Sequence, residues 1–152
     1  MNSPECPFCY PSLIKNQQII LENEKAMFLQ LEEAKEPGRS LEGAGVIVTK
    51  AHRVYPFDLT DGEWLAIKDL LQRAKNLIDE KHVPSGYNIG WNSGEAAGQH
   101  IMHAHLHVLP RYEDEQMRGK GIRYLFKHAL NRRQGKKEIN LAAARKRLHN
   151  KK

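Results

Sequence analysis

The chain predicts an α+β fold: a mainly antiparallel sheet of about five strands, one long helix packed on it, and a basic helical extension at its C-terminal end. Three patterns carry that expectation. Short runs of β-branched, aromatic or alternating residues, separated by Gly, Pro, Asn and Asp, recur through much of the chain before Tyr112. One stretch, Asp61 to about Lys81, keeps helical spacing along its whole length. The stretch His103-Ala104-His105-Leu106-His107-Val108-Leu109-Pro110-Arg111 sets imidazoles against apolar side chains at a period of two. As a strand it carries its histidines on one face and Ala104, Leu106 and Val108 on the other.

Taken in order, Gln18 to Leu21 and Ala26 to Leu31 form a hairpin around the polar Glu22-Asn23-Glu24-Lys25 turn. Residues 33 to 42, polar and broken by Pro37-Gly38, read as a loop, and Gly43 to Thr49 as a short strand rich in β-branched residues. Thr60-Asp61-Gly62-Glu63 has the form of a capping box. Trp64, Ile67, Leu71, Ala74 and Ile78 then recur at helical spacing, with Leu70 and Leu77 widening the stripe, so this face belongs to the core. Pro84-Ser85-Gly86 breaks the chain before Tyr87 to Asn92, which alternates as a strand. Ser93 to Gly98 connects it to the histidine stretch, and the small residues there would let backbone amides approach an anion. Beyond Arg111, Ile122, Leu125, Phe126, Ala129 and Leu130 give one amphipathic helix. Leu141, Ala142, Ala144, Arg145 and Leu148 give a second, with Gln134-Gly135-Lys136-Lys137 between them.

The 152 residues, 40% of them hydrophobic, suit one domain with a core of its own. No apolar run approaches the roughly twenty residues that span a bilayer, and the N-terminus lacks the apolar region of a signal peptide. A soluble, cytoplasmic protein without membrane association is expected. The formal charge of +6 conceals an asymmetry. Residues 1–117 hold 11 Lys and Arg against 17 Asp and Glu, whereas residues 118–152 hold 13 against one. The expected division is therefore an acidic body over 1–117 and a basic helical extension over 118–152. Such a tail could bind nucleic acid or steer polyphosphates, but it has few aromatics to stack on bases, and a solvated helix face is the commoner use of such charge.

Neutral imidazole is a nucleophile, a proton carrier and a metal ligand near neutral pH, and three at strand spacing offer all of these together. A structural metal site or an exposed histidine run would fit the spacing too. The apolar residues at every alternate position, and the preceding Gly94-Glu95-Ala96-Ala97-Gly98-Gln99, favour a built site. The chain's 2 cysteines both sit in Cys6-Pro7-Phe8-Cys9. Such a pair forms a redox couple or half of a tetrahedral zinc site. The redox use wants a strand-to-helix setting that this Pro-flanked segment does not provide, and zinc would need histidines to complete it, there being no other cysteine.

Asn92, Gly94, Gly98-Gln99 and His103-x-His105-x-His107-x-Leu109-Pro110-Arg111 resemble the signature of the histidine triad superfamily of nucleotide hydrolases and transferases. The Pro-Arg ending is most similar to members resembling the diadenosine polyphosphate hydrolases. The resemblance implies that His105 attacks the α-phosphorus of a nucleoside 5′-phosphoryl substrate, forming a nucleotidyl-histidine that water then releases. It implies further that His107 bonds a non-bridging oxygen, helped by Gln99 and loop amides. Asn92 and Gln99 would bind the phosphates. Phe8, Phe28 and Leu29 would clasp the base, and Gln30 or Glu32 would reach the ribose. By the same resemblance a structural zinc ion is held by Cys6, Cys9, His52 and His103, and the protein is a homodimer.

Two positions depart from the family. Ala44 stands where a histidine is common, and His100 where serine or threonine is usual. His100 could protonate the leaving group or act as a neutral hydrogen-bonding substitute, the second being the expectation. A dinucleoside polyphosphate is the expected substrate. Phosphoramidase or nucleotidyltransferase chemistry of the same superfamily is the alternative, and a nucleotide- or nucleic-acid-binding adaptor using the basic tail is the alternative of another class. A metalloenzyme using all three histidines is disfavoured by the absence of carboxylates at ligand spacing.

Overall fold

A computed structural model describes residues 2–35, 40–133 and 145–146. The chain divides into two compact units, Met1–Gly119 and Lys120–Lys152. The first unit is built on a five-stranded antiparallel sheet, β1 (Gln17–Glu22), β2 (Ala26–Leu31), β3 (Gly45–Thr49), β4 (Gly86–Trp91) and β5 (His105–Arg111), in the spatial order β1-β2-β3-β5-β4. One long helix, α1 (Asp61–His82), covers one face. The expected α+β architecture is the one found.

The helix begins where its sequence dictates. The Thr60 hydroxyl accepts the Glu63 amide and the Glu63 carboxylate accepts the Thr60 amide, satisfying two donors that the first turn would otherwise leave open. At its other end Val83 takes the left-handed conformation at φ 50°, and its amide closes on the Asp79 carbonyl. Ile67, Leu70, Ala74 and Ile78 of α1 are buried against Ala26, Phe28, Ile47, Leu106 and Val108 of the sheet. A smaller cluster on the opposite face joins Cys6 and Phe8 to Met27, Leu29 and Val48. Alternation along β2 therefore sends Phe28 and Leu29 to opposite faces.

Two strand boundaries differ from expectation. β3 starts at Gly45, because Gly43 turns at φ +84° with its amide on the Ala34 carbonyl and Ala44 closes onto Leu41. A side chain at Gly45 would meet the Leu29 carbonyl oxygen at 2.5 Å, so the approach of β2 and β3 requires glycine there. β5 starts at His105, not His103: the amide of Ala104 bonds to Arg53, outside the sheet, and that of His103 folds back onto Ile101. Only His105 and His107 share the strand face, and the ring of His103 is free to serve elsewhere.

In the second unit the described helix is α2 (Ile122–Lys127), which stops at His128 before reaching Ala129 and Leu130. The second tail helix expected from Leu141 to Leu148 lies largely outside the described residues, of which Arg145 and Lys146 are helical. Among the described residues no helix is long and apolar enough to cross a membrane.

Candidate active site and metal centre

β5 lies between β3 and β4, so both of its edges are hydrogen-bonded. His105 faces Val48 and His107 faces Val46 across the β3–β5 ladder, on the side of the sheet away from α1. The two rings pack edge to face with centroids 4.8 Å apart, and Phe8 packs on His105 at 5.0 Å. His105 Nδ1 lies 2.8 Å from the His103 carbonyl oxygen. That acceptor places the ring proton on Nδ1 and leaves Nε2 with its lone pair. Burial above all holds both rings below the ordinary histidine range, so both are neutral near pH 7. His107 Nε2 is buried and has no hydrogen-bond partner among the described residues. A buried polar atom of this kind is costly unless something bonds to it.

Beside these rings opens a cavity of about 370 Å³, within the range of small-molecule sites. Phe8, Leu29, Leu31 and Val46 give it apolar walls, and His100, His105 and His107 give it a polar one. Gln30 also lines it, although its amide is committed to the Gly43 carbonyl at 2.8 Å.

Several expected substrate contacts stand elsewhere. Phe28 is fully buried under α1 on the other face and cannot reach the cavity. Glu32 is exposed and off the cavity wall, where its neighbour Glu33 stands instead. Asn92 lies outside the wall, its amide 3.5 Å from the Gly98 carbonyl.

Gln99 differs most from its expected role. It is 2% exposed; Oε1 accepts the Gly94 amide at 2.7 Å, and Nε2 donates to the carbonyls of Val54 at 2.8 Å and Ile101 at 3.2 Å. Both amide hydrogens are committed, so it braces the loop instead of meeting a phosphate. The backbone amides of Gly94, Ala97, Gly98 and Gln99 are likewise bonded within the loop, in which Gly94 and Gly98 turn at φ +91°. Arg111 ends β5 by tying Asn88, Glu115 and the Met117 carbonyl together, a structural use of the Pro-Arg ending.

Val46, Glu33 and Leu109 were not singled out from the sequence as cavity residues, yet they line it. The signal for Val46 is its register opposite His107, and register is set by strand pairing, not by local spacing.

The four expected zinc ligands converge. One donor atom from each of Cys6, Cys9, His52 and His103 lies within 4.8 Å of the others. Zinc bonds of about 2.3 Å to sulfur and about 2.0 Å to nitrogen set tetrahedral donors roughly 3.5 Å apart. The closest pairs here are Cys9 Sγ to His52 Nδ1 at 3.2 Å, Cys6 Sγ to His103 Nδ1 at 3.4 Å, and Cys9 Sγ to His103 Nδ1 at 3.6 Å. His103 Nε2 donates to the Thr49 carbonyl at 2.8 Å, the outer bond that fixes a ligating ring with Nδ1 bare. Burial pushes this histidine down to about 4, so it is neutral as a ligand must be. The donor set and its geometry fit a closed structural zinc site. The loop carrying His52 is held from the helix side, where Arg53 makes a bidentate pair with Glu63, Nη2 to Oε1 at 2.8 Å and Nε to Oε2 at 3.2 Å.

A model of the HIT domain matches residues 14–114. An uncharacterized 16.1 kDa HIT-like protein of Mycoplasma pneumoniae is 34% identical over 92 residues, which cover 60% of each chain. AP-4-A phosphorylase of Mycobacterium tuberculosis is 39% identical over 56 residues, 36% of this chain and 29% of that one. The chain thus spans at most 60% of the length of these relatives. Among solved structures, a HIT family protein from Bacillus anthracis superposes with a TM-score of 0.64 over 99% of both chains at 22% identity, a likeness of fold.

Proposed function

Because this chain belongs to the HIT domain family, we propose that it is a nucleotide hydrolase that cleaves at the α-phosphate of a nucleoside 5′-phosphoryl substrate, a dinucleoside polyphosphate in the first instance. The observation that carries the reading is the 2.8 Å bond from His105 Nδ1 to the His103 carbonyl, beside a cavity that His105 lines. It makes Nε2 of His105 the nucleophilic nitrogen.

Nε2 attacks the α-phosphorus, the bond to the departing polyphosphate breaks, and a nucleotidyl-histidine forms. Water then attacks the same phosphorus, freeing the nucleoside monophosphate and His105. Phosphoryl transfer asks the protein chiefly for position and charge stabilisation, and Nε2 of His107, without a hydrogen-bond partner among the described residues, would bond a non-bridging oxygen. Phe8, Leu29 and Val46 supply the apolar wall for a base. The name of the M. tuberculosis relative, a phosphorylase, favours one second reading: phosphate could replace water as the acceptor in the second step.

Cys6, Cys9, His52 and His103 would hold a zinc ion, which serves to fasten the N-terminal segment to the approach of β5. Both cysteines are free thiols, which accords with a reducing cytoplasmic setting. A homodimer is part of the reading. It is supported by the edge position of β4 and by Trp64, Leu65 and Ile89, apolar and exposed beside it.

The test is product analysis of diadenosine polyphosphate turnover in oxygen-18 water, with mass spectrometry of protein quenched in alkaline denaturant, where a histidine P–N bond survives. Label in the adenosine monophosphate and an adenylyl group on His105 are expected. Normal turnover by His105→Ala would dispose of the scheme.

A further inference from the structure

Phe8 stands between Cys6 and Cys9 in sequence and is buried among the groups of both sites. Its ring packs edge-on against His105 with centroids 5.0 Å apart and against His103 at 5.9 Å, and it lines the cavity. The segment that carries all three residues is built of turns, the Cys6 amide bonding the Ser3 carbonyl and the Tyr10 amide the Cys6 carbonyl. One side chain, that of Gln17, holds the Pro7 carbonyl at 3.0 Å. A wall of the cavity beside the nucleophile is therefore bracketed by two thiols.

Those thiols differ in access: Cys9 is half-buried, Cys6 is buried, and their Sγ atoms lie within 4.8 Å of each other. A catalyst of disulfide exchange wants a strand-to-helix setting, but a pair that is itself oxidised needs only a reachable sulfur with a second one beside it to resolve it. Sulfur committed to a metal is held as thiolate, the nucleophilic form. We propose that Cys6 and Cys9 are a site of reversible oxidation by peroxide, and that the disulfide they form expels the metal and switches off the His105 cavity. This rests on the zinc and nucleotidyl-histidine readings of the two sites.

Cys9 Sγ attacks one peroxide oxygen, the O–O bond breaks, and the departing hydroxide is protonated to water, leaving a sulfenic acid on Cys9. Cys6 Sγ then attacks the Cys9 sulfur, the S–O bond breaks, and a second water departs. The two sulfurs give up two electrons, which reduce peroxide to two waters; the two protons come from solvent, since the sulfurs start as thiolates. The cluster keeps His52 and His103, half the donors that a closed zinc site needs. Phe8 lies inside the ring that the new bond closes, so its seat against His105 changes with that bond. Reversal takes two equivalents of a small thiol: one opens the disulfide as a mixed disulfide and the second displaces it, after which the four donors are again available.

The experiment titrates zinc-loaded wild type with hydrogen peroxide. A chromogenic chelator reads released zinc, peptide mapping reads the Cys6–Cys9 bond, and diadenosine polyphosphate hydrolysis reads kcat/KM. One zinc released per disulfide formed is expected, with a loss of roughly 10-fold or more in kcat/KM, and dithiothreitol followed by zinc should restore both. Zinc retained through the titration, zinc lost with sulfinic acids in place of the disulfide, a full disulfide with unchanged kcat/KM, or a loss that reductant and zinc do not reverse would each overturn the switch. Wild type that binds no zinc at all would overturn the switch and the zinc reading together. Reversible zinc release with disulfide formation, in protein that never turns over the nucleotide, would support the oxidation site and sink the hydrolase reading instead.

Discussion

The carbonyl oxygen of His103 lies 2.8 Å from His105 Nδ1, while the ring of the same His103 turns the other way, its Nδ1 3.4 Å from Cys6 Sγ. One residue therefore fixes the His105 ring with its backbone and joins the Cys6, Cys9 and His52 cluster with its side chain. Loss of either cysteine should act on both.

Replacing Cys9 with Ser should abolish stoichiometric zinc, lower Tm, and reduce kcat more than it raises KM. Zinc sites of this kind contribute directly to folding. Elemental analysis should find about one zinc per wild-type chain, and prolonged chelation should reproduce the variant's melting curve. A metal-free wild type that melts at an unchanged temperature would remove the staple.

His107 is expected to stabilise developing charge without being indispensable. His107→Ala should lower kcat by about 10² to 10³, the usual loss for one oxyanion donor, with nucleotide affinity less affected. Steady-state kinetics on a dinucleoside polyphosphate measures this. A variant with full kcat would take His107 out of the reaction.

Gln99 is a brace, so Gln99→Ala should register first as instability. Two half-buried carbonyls and one amide lose their partner, a cost of roughly 2–3 kcal/mol, read by urea unfolding. Unchanged stability combined with a collapsed kcat would return Gln99 to the role of phosphate donor.

Val83 holds a left-handed conformation at φ 50°, ψ 55°, and its side chain is 78% exposed. A β-branched residue is strained there, and glycine is not. Val83→Gly should stabilise the protein by about 1 kcal/mol, visible as a higher Tm. A lower Tm would mean that the helix end is held by something other than its cap.

The Arg53 guanidinium, by hydrogen bonding above all, holds the Glu63 carboxyl below the usual carboxylate range. A carboxyl whose folded value is depressed adds stability above its unfolded value of about 4.3, and that stability disappears as pH falls through the folded value. Glu63→Gln should therefore be less stable than wild type near neutrality, the gap closing in acid. Denaturant titrations across that range will show it. A gap independent of pH would mean that the pair's charge contributes nothing.

Much of this was legible locally. The Thr60–Glu63 capping box, the alternation around His105 and His107, and the Cys6-x-x-Cys9 spacing depend on residues close in sequence, and each stands where expected. What was not legible depended on partners distant in sequence. Phe28 and Leu29 are both apolar, and only the placement of α1 decides which faces the cavity. Gln99 looks like a free donor until Val54, forty-five residues earlier, is seen to claim it. His103 fits the period of β5, yet the ladder stops short of it because Ala104 bonds to Arg53.

The position of β5 has a further consequence. From Leu106 to Val108 the strand is paired on both flanks, so the segment around His107 has no edge at which to fray, whereas His105, where the strand begins, is paired with Val48 of β3 alone. Thermal loss of turnover should then coincide with collapse of the whole sheet. The most durable part of the architecture thus carries the ring of His107 and ends next to that of His105.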